Sequence, residues 1–160
     1  MKRRQNGFSL IELLIVVAII LIIAAIAIPN LLRARIQANE ASAVASIHAI
    51  NTSEVSYSAA FPTVGFSPSL ASLGDGGTTP CPASSTASCY IDQNLSTGTK
   101  SGYVFTYVQN ASSTPAIQYT INADPLSRGV SGQRSFYSSE SNITRWNPST
   151  AAGSADGPLQ

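Results

Sequence analysis

The fold of this chain is decided by the apolar stretch FSLIELLIVVAIILIIAAIAI at residues 8–28. Its 21 residues correspond to about 31 Å of α-helix at roughly 1.5 Å per residue, enough to cross the hydrocarbon core of a bilayer. Glu12 is the only charged residue in the stretch. A carboxylate there costs roughly 2.5–3.5 kcal/mol on insertion scales, so it indicates a functional site with a partner. The alternative is that Glu12, near the start of the helix, reaches back to the lipid headgroups.

The residues before the apolar stretch, MKRRQNG, are few and basic. A secretory signal also begins with basic residues, but it is cut after its apolar core at a small-residue site. Here the core is longer, and it is followed by PNLLR at residues 29–33 instead of a clear cleavage site. By the positive-inside rule, Lys2, Arg3 and Arg4 hold the amino terminus in the cytoplasm. We therefore expect one span, with the carboxy-terminal domain across the membrane.

The junction between these two segments resembles a known processing signal. The run GFSLIE at residues 7–12 is similar to the class III signal of type IV pilins and type II secretion pseudopilins, and the resemblance covers roughly residues 1–35. In that family a prepilin peptidase cuts after the glycine and methylates the new first residue. The resemblance thus implies cleavage between Gly7 and Phe8, N-methylation of Phe8, and Glu12 as the fifth mature residue.

The resemblance also implies roles for Glu12 and Pro29 in assembly. In filaments of this family the apolar helices leave the membrane and bundle into a core, where Glu12 is expected to meet the Phe8 amine of a neighbouring subunit. Such a pair offsets much of the cost of burying either charge and fixes the register between helices. Pro29 falls where many type IVa pilins have a proline. Because it lacks a backbone donor, we expect a kink or a weak stretch there.

The helical pattern continues beyond Pro29, and no further Gly or Pro appears until Pro62. Apolar residues recur there at spacings of three, four or seven: Ile36, Ala43, Ile47, Ile50 and Tyr57, with Val44 and Val55 widening the stripe. This pattern predicts one helix over about residues 8–59, whose second half is amphipathic and lies against a sheet.

The remainder of the chain predicts a small antiparallel sheet. Residues 103–108 and 117–122 are rich in aromatic and β-branched side chains and suit one hairpin, while 134–138 and 143–146 suit a second. One long helix against about four strands is an α+β fold, which is also the pilin-like arrangement.

These patterns divide the chain into six segments. They are a leader (1–7), the transmembrane or filament-core half of the helix (8–28), its amphipathic half (29–60), an αβ-loop (61–101), the sheet (102–146) and a tail (147–160). The tail lacks periodicity, so we expect it to be mobile or to lie loosely on the surface.

Two cysteines, Cys81 and Cys89, lie in the αβ-loop. No nearby Cys or His completes a zinc site, and His48 stands alone in the helix. In an oxidising compartment we expect a disulfide between them, which would stabilise the fold by about 2–3 kcal/mol at most. The αβ-loop also contains Asp75-Gly76-Gly77, which lacks the alternating acids of a calcium loop and predicts a plain turn.

The charge distribution favours neither a nucleic-acid partner nor an enzyme. The chain has nine Lys and Arg against eight Asp and Glu, and removal of the three leader bases leaves six against eight. Arg128, Arg134 and Arg145 are scattered and indicate surface charges or local ion pairs. We find no catalytic motif, paired carboxylates, metal-spaced cluster or cofactor site, and we expect none.

Three functions compete at this point. The first is a structural subunit of a type IV pilus, a homopolymer that serves adhesion and twitching motility after export from the inner membrane by an assembly machine. The second is a pseudopilin that forms a periplasmic piston for type II secretion; Pro29 and the lack of a calcium motif favour the first. The third is a membrane-anchored periplasmic enzyme or binding domain, which would tolerate Glu12→Ala, whereas either filament subunit would not.

Overall fold

The computed structural model describes residues 9–77, 80, 83–110 and 112–159. The chain divides into two compact units, one ending at Arg35 and one beginning at Ile36. A single helix, α1 (Leu10–Ala60), contributes to both units and includes Pro29 within its span. The predicted long helix is therefore confirmed, with an amino-terminal limit just inside the described residues.

The second unit contains the other helices and the sheet. Two one-turn helices, α2 (Leu70–Leu73) and α3 (Gln93–Ser96), precede five strands: β1 (Thr99–Lys100), β2 (Tyr103–Asn110), β3 (Gln118–Pro125), β4 (Ser135–Ser139) and β5 (Arg145–Asn147). The strands lie in the order in which they occur in the chain, and every neighbouring pair is antiparallel. Both predicted hairpins are present, so the α+β fold class is confirmed; β1 and α3 were not predicted.

The register of the sheet puts alternate side chains on the face that packs against α1. Phe105 lies opposite Ala123, which in turn lies opposite Phe136 on β4. All three are buried, together with Ile47 and other residues of α1. This alternation is the period of two that half-buried strands require, and it gives the unit one continuous hydrophobic core.

The stripe predicted on the second half of α1 forms the helical side of this core. Ala43, Ile47, Ile50 and Tyr57 are each no more than 1% exposed. Val55, however, is 54% exposed and does not widen the stripe. It follows a buried residue by one position, which is 100° around an α-helix and points away from the sheet.

The segment between α1 and β1 is fastened to the core by short-range caps and one close backbone contact. Ser69 accepts from the Ser72 amide at the start of α2, and Asp92 does the same for Leu95 at the start of α3. Gly65 has a φ of +83°, and a Cβ there would lie 2.1 Å from the Ala116 carbonyl oxygen. Only glycine allows this segment to approach the start of β3 so closely.

The carboxy-terminal segment is hydrogen-bonded along the sheet, which differs from the loose tail we expected. The Leu159 amide donates to the Thr144 carbonyl at 2.8 Å, and Arg145 forms an antiparallel bridge with Pro158. The Asp156 carboxylate accepts from the Gly153 amide at 2.8 Å and from Asn147 at 3.0 Å. Local polar contacts therefore hold this segment in place. Its sequence has no apolar periodicity from which this arrangement could be predicted.

Candidate functional site: the carboxylates of the long helix

The first part of α1 exposes nearly all of its apolar side chains. Leu10 is 80% exposed and Leu31 is 71% exposed, and the large hydrophobic residues between them are also exposed. Among the described residues α1 is the one helix long and apolar enough to cross a membrane, with a mean hydropathy of 3.3 over its most apolar window. Nothing in the described part of the chain buries this surface, so lipid or other protein must cover it.

Glu12 lies in the first turn of α1 and forms the carboxylate half of a capping box. The Ser9 amide donates to Glu12 Oε2 at 2.9 Å, while the Ser9 carbonyl accepts from the Glu12 amide at 3.1 Å. Ser-x-x-Glu is the sequence of this motif, in which the N3 carboxylate satisfies the N-cap amide. The bond gives the carboxylate one neutral partner, and no positively charged partner of Glu12 lies among residues 9–77, 80, 83–110 and 112–159.

Several predicted site residues remain predictions. Gly7 and Phe8, the expected cleavage and methylation sites, lie outside the described residues, as does Cys81. Cys89 is described and has a φ of +61°. The Cys81–Cys89 disulfide stays a prediction. Pro29 lies within α1, and its expected kink stays a prediction.

Two further carboxylates on α1 are buried, and sequence reasoning missed both. Glu40 is 5% exposed and lies under the loop before β4. Its Oε1 accepts from the Gln133 amide at 2.9 Å and the Arg134 amide at 3.0 Å, and its Oε2 pairs with Arg134 Nε at 2.7 Å. Burial alone would raise the Glu40 pKa, but these donors outweigh it and hold the pKa below its ordinary value.

The Arg134 side chain is itself held by aromatic rings. Its guanidinium carbon lies 5.6 Å from the centre of the Phe136 ring and 5.5 Å from that of Trp146. Both distances are within the range of cation–π attraction. Glu40, Arg134 and the two rings therefore join the middle of α1 to β4 and β5.

Glu54 is the second buried carboxylate, and it is fully inaccessible to solvent. Its Oε2 accepts from the Ser67 amide at 2.8 Å and its Oε1 from the Ser67 hydroxyl at 2.5 Å. The Tyr107 hydroxyl donates to the Ser67 carbonyl at 2.9 Å, which completes the contact with β2. Burial raises the Glu54 pKa above its ordinary value, although the Ser67 hydrogen bonds act in the opposite direction.

A signal for both buried acids was present in the sequence. The buried seam of α1 follows steps of three and four through residues 40, 43, 47, 50, 54 and 57, with the half-buried Ile36 one step before it. Glu40 and Glu54 occupy the two positions that the apolar stripe leaves empty. An acid at a seam position is buried unless the helix rotates, so each required a partner from elsewhere in the chain.

Two arginines and an aspartate outside α1 are engaged in local hydrogen bonds. Arg128 donates to Ser135 Oγ at 2.7 Å, and Arg145 donates to the Asp156 carbonyl at 2.7 Å. Asp75 accepts from the Gly77 amide at 2.9 Å, the geometry of a turn, as predicted. His48 is exposed. Across the described ranges, no group of three or more His, Cys, Asp or Glu side chains could hold a metal ion.

The comparisons with known proteins concern the same amino-terminal region. The family described as the prokaryotic N-terminal methylation motif matches residues 2–28. The type IV wide pilus major component PilA4 of Thermus thermophilus is 66% identical over 38 residues, which are 24% of this chain and 29% of that protein. The type IV major pilin protein PilA of Myxococcus xanthus is 46% identical over 54 residues, 34% of this chain and 24% of that protein.

A pseudopilin is also similar to this region. The type II secretion system core protein G of Aeromonas hydrophila is 41% identical over 49 residues, 31% of this chain and 34% of that protein. The chain thus spans about a quarter to a third of the length of the curated relatives it matches. No solved structure matches the chain.

The motif and the exposed apolar helix define a class of proteins that anchor in a membrane through a processed amino-terminal segment. Within that class, the chain is similar to type IV pilins and type II secretion pseudopilins, as its sequence motif predicted. The similarity covers about the first third of the chain.

Proposed function

We propose that the chain is a structural subunit of a type IV pilus, which assembles through the first part of α1 into a surface filament. The observation that carries the proposal is the uncovered apolar helix with a single carboxylate in its first turn. A helix that is apolar on every side needs a covering all round, which lipid supplies before assembly and identical helices supply afterwards. A homopolymer meets this need without a second protein.

Processing would prepare the subunit for this transition. In the proposed sequence of events, a prepilin peptidase in the inner membrane cuts between Gly7 and Phe8 and methylates the Phe8 amine. The basic residues of the leader, Lys2, Arg3 and Arg4, stay in the cytoplasm, and the unit that begins at Ile36 lies in the periplasm. An assembly machine in the inner membrane then transfers the subunit into the growing filament.

Glu12 would supply the specificity of the assembly step. The Ser9 amide that donates to Glu12 carries no charge and does not neutralise the carboxylate. The carboxylate can therefore still attract a positive amine when the water around the lipid headgroups is removed. In the filament this amine is that of Phe8 on a neighbouring subunit. A register shift between helices would separate the two charges in an apolar environment, which is costly.

The comparisons support a second candidate from the same family, a type II secretion pseudopilin, because core protein G matches the same segment. The pilus is preferred since the two pilin relatives show the higher identities, 66% and 46%. Adhesion and twitching motility would follow from a filament that extends beyond the cell, whereas a pseudopilus would remain in the envelope.

The test is intact-mass spectrometry on protein sheared from the cell surface, with the envelope fraction measured in parallel. A pilus subunit is expected as an abundant surface chain that begins at N-methylated Phe8. The same processed chain restricted to the envelope fraction would instead support the pseudopilin. A surface chain that retains residues 1–7 would contradict the proposed processing.

A further inference from the structure

The second unit exposes apolar side chains at both ends of β3. Ile117 comes immediately before the strand and is 63% exposed, whereas Leu126 comes immediately after it and is 64% exposed. Val130 belongs to the same loop as Leu126, here called the apolar loop (residues 126–130), and is 65% exposed. Among the described residues of this unit, these three are the most exposed large hydrophobic side chains.

The apolar loop is held in one conformation by hydrogen bonds. The Val130 amide donates to the Ser127 carbonyl at 3.1 Å, which closes the turn. Directly after the loop, the Ser131 carbonyl accepts from Asn39 Nδ2 on α1 at 2.7 Å. The polar backbone of the turn is therefore satisfied within the chain, while the side chains of Leu126 and Val130 project into solvent.

The other end of β3 borders a pocket of about 340 Å³, here called the end pocket. Phe66, Pro115 and Ile117 line it, together with Ser58 near the end of α1, and none of the described lining residues carries a charge. The Phe66 amide donates to the Ala116 carbonyl at 3.0 Å, which joins the two walls. Small-molecule sites have volumes of roughly 300–1,000 Å³, so the end pocket has room for aliphatic side chains.

The apolar loop and the end pocket lie at opposite ends of the second unit. Asn39 contacts the segment of the loop and Ser58 lines the pocket. These two residues of α1 are 19 positions apart, which is about 28 Å of helix at roughly 1.5 Å per residue. The eight residues of β3 give a similar separation, about 27 Å at roughly 3.4 Å per residue. The loop of one copy therefore cannot reach its own pocket.

We propose that the apolar loop of one subunit inserts into the end pocket of the next subunit, a second copy of this chain. The occupant follows from the chemistry of the two features, since an apolar projection and an uncharged, largely apolar pocket both lose water when they meet. The two contacting surfaces differ, so the contact is heterologous, and a joined pair still has one free loop and one free pocket. Heterologous contacts that do not close into a ring build helical filaments.

This inference rests on the proposed function, because the filament brings the second units together. A contact of one loop with one pocket is small and weak in isolation. In a filament the bundled helices tether neighbouring units, so the loop meets the pocket at a high effective concentration. The contact would then fix the spacing between second units, a task separate from the helix register that Glu12 is proposed to set.

The experiment places one thiol on each side of the contact. Val130→Cys and Ile117→Cys are combined in the full-length chain, and the sheared surface protein and the envelope fraction are each treated with a short bis-maleimide crosslinker. A ladder of dimers, trimers and larger species is expected, because every subunit then carries both thiols. The wild type, which keeps Cys81 and Cys89, is the control for crosslinks through the native cysteines.

The single variants test whether the contact is heterologous. Val130→Cys alone and Ile117→Cys alone should give no more crosslinked species than the wild type, because identical positions do not meet in such a contact. Production of both single variants in the same cells should give dimers without a ladder, since each pair then uses its only two thiols. Dimers from one single variant alone would show a symmetric contact and overturn the proposal.

The fractions distinguish this proposal from that of the pilus. Absence of a ladder from both fractions overturns the contact and assigns the apolar loop to another partner, such as the lipid surface. A ladder confined to the envelope fraction supports the contact but contradicts a surface pilus. A processed surface chain that forms no ladder supports the pilus and contradicts the contact.

A charged substitution tests the apolar character of the contact. Leu126→Asp, added to the double-cysteine chain, should reduce the ladder about tenfold, because its carboxylate would enter an uncharged pocket. The matched control is Val108→Asp in the same chain, since Val108 is 56% exposed and lies outside both features. Both variants should keep the melting temperature in detergent, because the changed side chains are exposed. An unchanged ladder in Leu126→Asp, or an equal loss in the Val108 control, refutes the proposal.

Discussion

The two parts of α1 differ in how their apolar side chains are shielded from water. Up to Arg35 the helix exposes its apolar side chains, with Leu31 at 71%, whereas Ile47 and Ile50 in the later part are fully buried. The later part has its covering within the chain, because the sheet packs against one face of it. The earlier part is apolar all round and must find its covering in lipid or in other subunits.

The carboxylates follow the same division. Glu40 and Glu54 receive three and two hydrogen bonds, respectively, from groups of their own chain. From the described residues, Glu12 receives one, from the Ser9 amide. A buried carboxylate is stable only when its oxygens are satisfied. The comparison indicates that Glu40 and Glu54 serve folding, and it is in keeping with our proposal that Glu12 serves an interaction made later, with another molecule.

The largest expected effect is the loss of filaments in Glu12→Ala. The yield of sheared surface protein should fall at least about tenfold, the change in population that a lost contact of about 1.4 kcal/mol would cause. The melting temperature of the full chain in detergent should not change, because Glu12 lies in the exposed first turn, away from the core of the second unit. Normal filament yield from Glu12→Ala would refute the charge-pairing proposal.

A matched variant, Glu12→Gln, separates charge from capping. Glutamine at this position can still accept from the Ser9 amide, because capping boxes use Glu or Gln. If charge is what assembly requires, Glu12→Gln should fail as Glu12→Ala does. Wild-type assembly of Glu12→Gln would instead assign Glu12 the capping role alone.

The next effect in size is the destabilisation expected of Glu54→Ala. This change leaves the buried Ser67 amide and hydroxyl without their acceptors, at a combined cost of about 3 kcal/mol. Glu54→Gln keeps the size and one acceptor oxygen, so about 1 kcal/mol is expected. Unfolding of the full chain in detergent, followed by circular dichroism, measures both. A loss of less than roughly 0.5 kcal/mol in Glu54→Ala, the range of ordinary surface substitutions, would contradict the role of Glu54.

Local patterns predicted most of the fold and little of its polar interior. The apolar run, the seam at steps of three and four, and the alternation of residues 117–122 are local signals, and each predicted its element correctly. The partners of the buried acids are distant instead: Ser67 lies 13 positions from Glu54, and Arg134 lies 94 positions from Glu40. No periodicity encodes such pairs.

The face of the sheet that α1 does not cover shows the same limit. Alternation in β3 indicates that Thr120 faces away from the core, but it does not reveal that Ser154 stands beside it. That neighbour depends on hydrogen bonds of the carboxy-terminal segment, such as that between Asn122 and Ala152, which a sequence without periodicity does not disclose. The first unit is the more predictable because its residues 10–35 lie in one helix.

A smaller loss is expected of Glu40→Ala, about 2 kcal/mol, since its carboxylate accepts from two backbone amides and one guanidinium. Arg134→Ala should cost less, because Glu40 keeps both amide donors and the guanidinium is partly exposed, which weakens the ion pair. The two single variants and the double variant form a cycle, with an expected coupling of about 1 kcal/mol. A coupling close to zero would show that the amide cap, and not the ion pair, provides the stability that Glu40 contributes.

The smallest and most discriminating effect is the pH dependence of the free energy of unfolding. Glu40 and Glu54 should change this free energy in opposite directions as the pH rises. The Glu40 pKa is lowered in the folded chain, so its contribution is present above the unfolded pKa, near about 4.3, and is lost as the pH falls through the folded pKa. The Glu54 pKa is raised, so its protonated form is favoured by folding, and stability falls as the pH rises through the folded value.

Melting temperatures of the wild type, Glu40→Gln and Glu54→Gln, measured in detergent across the acidic range, separate these contributions. The difference between wild type and Glu40→Gln should grow in favour of the wild type as the pH rises, because ionised Glu40 stabilises the fold. The difference between wild type and Glu54→Gln should shrink over the same rise, because ionising a buried carboxylate is unfavourable. If both melting-temperature differences change in the same direction with pH, the Ser67 hydrogen bonds outweigh burial at Glu54. Both acids then act as stabilising anions.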